Sequence, residues 1–215
     1  MPAQLNLIAD RPVFSGILID SSGSMKPYAN SVIEAHRMML DMLRKSEKCG
    51  KGVLYVYQCL FAETPELLNA FYPLRPDGPG QDKVKVLDST NYKPEGNTAL
   101  YDAVIKMTEE LTAQKNGAFR QGLSSAARIA VITDGEDTIS QARPEHVQEA
   151  IRKLRSDEWL EASVVVGLKN ERFDEARLVA LKTSLGFSQH ISLERSEQEV
   201  RRAFVLASRF LAGKA

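Results

Sequence analysis

The chain has 215 residues, 43% of them hydrophobic and 26% charged, which is ordinary globular usage. Lys and Arg number 28, Asp and Glu also 28, so no overall positive field favours nucleic acid or an anionic membrane. No apolar run approaches the ~20 residues that span a bilayer. The start, Met1 to Asn6, has no basic region leading into an apolar run, so no signal peptide is expected.

Residues 1–12 read as a polar lead-in, and 13–215 as a single domain. The first strand, about 13–20, is apolar nearly throughout, as in a parallel sheet covered on both faces. Asp20-Ser21-Ser22-Gly23-Ser24-Met25 follows it. Pro27 suits a first helical turn, and Val32, Ala35, Met39 and Leu43 recur at helical spacing to about Lys48, before Gly50 and Gly52. Residues 53–61 form a second buried strand, and 67–72 a short edge strand reached through a tight turn. Residues 73–97 are rich in Pro and Gly and read mostly as loop, with Asp82 to Leu87 a short helix or an extended piece.

Leu100, Val104, Met107 and Leu111 mark a helix ending near Asn116-Gly117, and 117–125 read as a polar turn. Ala127 to Ile132 is a third core strand, ending in the turn Thr133-Asp134-Gly135-Glu136. A helix starts at Pro144, a fourth core strand covers 163–168, and a helix at about 174–184 ends before Gly186. A short strand at 189–193 and a helix from Ser196 to about Ala212 close the chain. Strands alternating with helices predict an α/β fold: a doubly wound, mostly parallel sheet with helices on both faces and one short antiparallel edge strand.

The two cysteines, Cys49 and Cys59, form no zinc or redox spacing and are expected to be reduced, so the cytoplasm is the expected compartment. His36, His146 and His190 lie on separate elements and read as structural or surface residues. Trp159 is expected to pack where a helix meets the fourth core strand, and Tyr101 and Asp102 to serve local packing and hydrogen bonding. Glu136 and Asp137 read as solvated.

In an open α/β sheet, ligands bind at the carboxyl ends of the strands. Three polar loops fall there: Asp20, Ser22 and Ser24; Thr98, in the loop feeding a helix; and Asp134 after the third core strand. Two carboxylates and three hydroxyls are hard oxygen donors, suited to magnesium. Each alone has a plainer reading. Ser22 and Ser24 could be cap and turn residues, Thr98 a helix cap, and Asp134 a turn aspartate.

Asp20-Ser21-Ser22-Gly23-Ser24 resembles the Asp-x-Ser-x-Ser motif of von Willebrand factor A domains. Gly96 to Ala103 is similar to their threonine loop, and Thr133-Asp134-Gly135 to their aspartate loop, in the family's order. The resemblance covers roughly 13–212 and implies an intracellular, bacterial-type single-domain member with an intact metal-ion-dependent adhesion site. It implies that Ser22, Ser24 and Thr98 ligate a Mg2+ or Mn2+ ion, less readily Ca2+, while Asp20 and Asp134 hold metal-bound water. It further implies a non-enzymatic adaptor, monomeric or weakly dimeric, that takes an Asp or Glu from a protein partner, such as a component of an AAA-type ATPase system. The alternative is a metal-dependent phosphohydrolase with Asp20 as nucleophile. Such enzymes usually carry a second acid two positions on, where this chain has Ser22. No Gly-x-Gly-x-x-Gly or Gly-x-x-x-x-Gly-Lys-Ser/Thr motif occurs to hold a nucleotide.

Overall fold

A computed structural model describes residues 11–77, 83–156 and 158–213. Six strands form one sheet in the order β3-β2-β1-β4-β5-β6. They are β1 (Val13–Asp20), β2 (Leu54–Phe61), β3 (Pro65–Pro73), β4 (Ala126–Thr133), β5 (Leu160–Lys169) and β6 (Gln189–Glu194). All neighbours run parallel except β2 and β3, which pair antiparallel. The helices are α1 (Ala29–Arg44), the short α2 (Glu47–Gly50), α3 (Leu100–Arg120), α4 (Pro144–Ser156), α5 (Glu175–Ser184) and α6 (Glu197–Ala212).

Every residue of β1 is buried. Its side chains alternate between two cores, as strand geometry requires. Val13, Ile17 and Ile19 face the core under α1 and α6. Phe14 and Leu18 face the core under α3, α4 and α5. Each fully buried Ile or Leu contributes roughly 1.5–3 kcal/mol of transfer free energy. The two cores explain why β1, β4 and β5 are apolar without a polar face. On the second face α3 comes close: a Cβ at Gly16 would lie 2.4 Å from Met107 Sδ.

Cys49 and Cys59 are free, buried thiols that belong to opposite cores, so the sheet separates them. Burial pushes the Cys59 thiol up to about 12. Trp159 is buried at the entry to β5 and donates to Ser125 Oγ at 2.7 Å.

β5 starts at Leu160, ahead of the expected 163, and three helix boundaries also differ from the sequence reading. Pro27 lies within a 3-10 turn, Gly23–Tyr28, and α1 starts only at Ala29. That helix stops at Arg44, because Ser46 accepts from Cys49 N and caps a separate turn, α2. Helix α3 runs through Gly117 to Arg120, and Ala118 within that extension is buried. Phe119, just beyond, is exposed.

The Pro- and Gly-rich stretch after β3 is tied down by side chains. Of the piece expected at Asp82 to Leu87, Asp82 lies outside the described residues; 83–87 belong to no helix or strand. The Asn69 side chain accepts from Lys85 N at 2.8 Å and donates to Lys85 O at 3.1 Å, replacing strand pairing. Buried His36 accepts the Leu87 amide at Nδ1, 3.1 Å away, and its Nε2 lies 2.6 Å from Gln58 Oε1. That fixes the neutral tautomer with the proton on Nε2, and burial lowers the His36 pKa to about 4.

Candidate metal centre

β1 lies between β2 and β4, and the chain leaves it in opposite directions, which makes its carboxyl end the switch point of the sheet. The register sets Ile19 against Ile132, so Thr133 arrives level with Asp20. Asp20, the last residue of β1, is wholly buried. Its Oδ1 accepts from Ser22 N at 2.8 Å, and its Oδ2 from Thr133 Oγ1 at 2.6 Å. Its main-chain carbonyl accepts from the Tyr92 hydroxyl at 2.7 Å.

From Ser22 the hydroxyls lead outward. Ser22 Oγ lies 3.1 Å from Ser24 Oγ, and Ser24 Oγ donates to Asp134 Oδ1 at 2.6 Å. Ser22 precedes the 3-10 turn but its side chain makes no capping bond. Asp134 is buried as well, and its carbonyl accepts from Asn170 Nδ2 at 2.7 Å. Thr98 lines the same cleft as Ser24 and Asp134, a cleft of about 810 Å3. It does not cap α3, whose cap position is Ala99 without a side-chain bond. Thr98 is instead clamped through its backbone: its amide donates to Thr138 Oγ1 at 2.9 Å, and its carbonyl accepts from Thr138 N at 2.8 Å.

The threonine loop is held to the aspartate motif by main-chain bonds. Glu95 N donates to Ser21 O at 2.9 Å, and Gly23 N to Gly96 O at 3.0 Å. Gly96 sits at φ +71°, a left-handed conformation that suits glycine. The loop after Asp134 is equally ordered. Asp137, expected to be solvated, accepts from Tyr101 N and from Ser140 Oγ, while Asp102 accepts from Gln141 N and Ala142 N.

Electrostatically the site is short of positive charge. The Asp20 carboxyl is raised to about 6, first by burial and next by the nearby charge of Asp134. Asp134 is raised too, by burial. One cation answers them: Arg195 Nη2 lies 2.7 Å from Asp134 Oδ2. The N–H direction misses that oxygen, so Asp134 Oδ2 is neutralised without an aligned hydrogen bond. Among the described residues no three His, Cys, Asp or Glu gather into a metal cluster. The donor set here is instead two carboxylates among hydroxyls. Two buried acids, one carrying an unmatched oxygen, fit a small hard cation better than they fit a closed structural network.

The family model for the von Willebrand factor type A domain matches residues 16–203. The chain belongs to this family. Among solved structures, the domain is similar to the PilB minor pilin of Streptococcus sanguinis, at 12% identity and TM-score 0.66, with 100% of this chain and 64% of that one covered. A von Willebrand factor type A protein from Catenulispora acidiphila aligns at 15% identity and TM-score 0.56, over 94% of this chain and 43% of that one. The vWF domain of the type V pili tip protein Mfa5 from Porphyromonas gingivalis aligns at 12% and 0.57, over 93% and 94%. This type A domain thus spans less than two thirds of the first two proteins' chains. Among curated proteins, none matches it in sequence.

Three residues that serve the site were given no role in it from the sequence of this type A domain. Thr133 looks like a strand end, Tyr92 sits among prolines and glycines, and Arg195 precedes a helix by a turn. Only Thr133, next to Asp134, carried any local signal.

Proposed function

We propose that this domain is a divalent-metal-dependent protein-binding module. The reading rests on one observation: Asp20 and Asp134 are buried at the same rim, with the Ser22 and Ser24 hydroxyls bridging between them. Ser22, Ser24 and Thr98 would hold a Mg2+ or Mn2+ ion directly, and Asp20 and Asp134 would hold it through water. An ion bound chiefly by neutral hydroxyls would keep most of its charge and favour a carboxylate from outside. The chain's own residues then do the positioning. Thr133 and the Ser22 amide aim the Asp20 carboxylate, Asn170 and Ser24 aim Asp134, and the Thr138 clamp fixes Thr98.

The occupant of the open position is an Asp or Glu of a partner protein. An adaptor role in an AAA-type ATPase or other assembly system, in the cytoplasm, is the context we propose for this domain. The vWF domain of the type V pili tip protein Mfa5 shares the fold. Among the described residues no helix is long and apolar enough to cross a membrane.

Calorimetric titration with Mg2+ or Mn2+ tests the site. Asp20→Ala should abolish binding while the circular dichroism of the fold persists. Undiminished affinity would remove Asp20 from the site. A pull-down with and without chelator tests the partner. Thr98→Ala should weaken capture about 30-fold or more, as for a buried charge-assisted contact worth roughly 2–5 kcal/mol. Capture indifferent to both chelator and Thr98→Ala would refute the metal-bridged reading.

A further inference from the structure

Arg195 has no part in the donor set, yet it occupies the place where positive charge is needed. It lies between β6 and α6, one residue before Ser196, whose side chain caps α6 by accepting from Glu199 N at 3.2 Å. The backbone under Arg195 is therefore anchored. Its guanidinium reaches across to the first loop of the site. Nη2 lies against Asp134 Oδ2 and donates to the Ser24 main-chain carbonyl, and Cζ sits 5.1 Å from the centre of the Tyr28 ring.

Its attachment to Asp134 is loose in a specific sense. The N–H vector misses Oδ2, and Arg195 Nε is buried with no hydrogen-bond partner. A guanidinium built for permanent pairing with a carboxylate takes the two-pronged geometry and satisfies both atoms. Here charge is matched and hydrogen bonding is not. The contact stands in for a cation rather than completing a network.

Charge counting gives this contact a function. Asp20, Asp134 and Arg195 together carry one negative charge in excess. A divalent ion added to them leaves one positive charge in excess, and an arriving carboxylate brings the set to neutrality. Without Arg195, the metal alone would neutralise the site. We propose that Arg195 is a tethered cation that competes with the metal for Asp134, so that the ion is held loosely until a partner's carboxylate joins it. This inference rests on the metal-binding reading above and names the residue that would make metal and partner interdependent.

The test is Mn2+ binding, by calorimetry, to the full chain as wild type, Arg195→Gln and Arg195→Lys, with thermal unfolding measured in chelator and in saturating Mn2+. Arg195→Gln should bind Mn2+ about tenfold tighter than wild type, the size of one lost charge competition. Arg195→Lys keeps the charge and should stay near wild type. In chelator Arg195→Gln should melt lower than wild type, because a buried Asp134 loses its counter-charge, and saturating Mn2+ should close that gap. A purely structural arginine would lower the melting point in both buffers and leave or weaken affinity. Wild type that binds Mn2+ while Arg195→Gln binds equally or more weakly overturns the inference and leaves the metal site standing. Neither protein binding Mn2+ overturns both.

Discussion

Thr133→Val tests whether the Asp20 carboxylate is held by its neighbour in β4. Valine keeps the branched shape but removes the hydroxyl that donates to Asp20 Oδ2 at 2.6 Å and accepts from Gly135 N at 3.1 Å. A hydrogen bond to a charged group contributes about 1.5–3 kcal/mol, and a neutral one about 0.5–1.5. Asp20 is fully buried and the Gly135 bond part-buried, so the loss should come to roughly 2–4 kcal/mol, or about 5–15 °C in melting temperature for a chain of this size. The second consequence is ionic. Burial, then Asp134, already raises the Asp20 carboxyl to about 6, and the Thr133 bond opposes that rise. Without it the carboxyl moves further toward neutrality, and protons compete better with metal. Urea unfolding in chelator reads the first effect. Mn2+ titration at roughly pH 6.5 and pH 8.5 reads the second, with the variant's deficit larger at the lower pH. Thr133→Ser, which keeps the hydroxyl, should recover most of both. Stability within about 0.5 kcal/mol of wild type would refute the claim that this bond supports the carboxylate.

Two further outcomes are expected. His36 has its pKa lowered to about 4, so the unfolded chain binds its proton more readily and His36 adds stability as pH rises from about 4 to 6.5. Asp20 is raised from 3.8 to about 6, so its folded form binds the proton more readily and it subtracts stability as pH rises through that window. The two oppose each other, and Asp20→Asn removes one. Its stability in chelator should climb steadily across that range where wild type stays nearly flat; parallel urea-midpoint curves would count against the assignment. Tyr92→Phe removes the hydroxyl donating to the Asp20 carbonyl and should cost about 1–3 kcal/mol, read by denaturant unfolding, with metal affinity falling as the loop slackens.

The architecture was legible because the strands sit between two apolar layers, and such strands lack a polar face. Val13 to Ile19 and Val164 to Val166 show it directly. The placement of the five residues Asp20, Ser22, Ser24, Thr98 and Asp134 around the strand ends was legible because each lies within a short motif. What escaped was whatever depends on a partner distant in sequence. Nothing around Tyr92 announces that its hydroxyl ends on Asp20, 72 positions away. Nothing around Arg195 points to Ser24, 171 positions away. The early end of α1 escaped for a local reason: Ser46 offers a second cap inside a pattern that otherwise continues, and the buried Cys49 rewards it. Gly117 misled in the other direction, because a glycine late in a helix is tolerated when the next residue still packs.

Among the described elements the strand bearing Asp20 comes first in the chain, yet it sits centrally, between β2 and β4. Its pairing with β4 joins residues more than a hundred positions apart, and loop closure over that distance is slow. A nascent chain on the ribosome therefore carries the aspartate motif long before it can offer a rim. The rim is assembled only when β4 docks beside β1, and the Arg195 turn emerges later still. A fragment ending before β4 lacks Thr133 and Asp134, so it cannot complete the hydrogen bonds that join Asp20 and Ser24 to the rim. The order of the sheet thus sets how late in synthesis the rim can form.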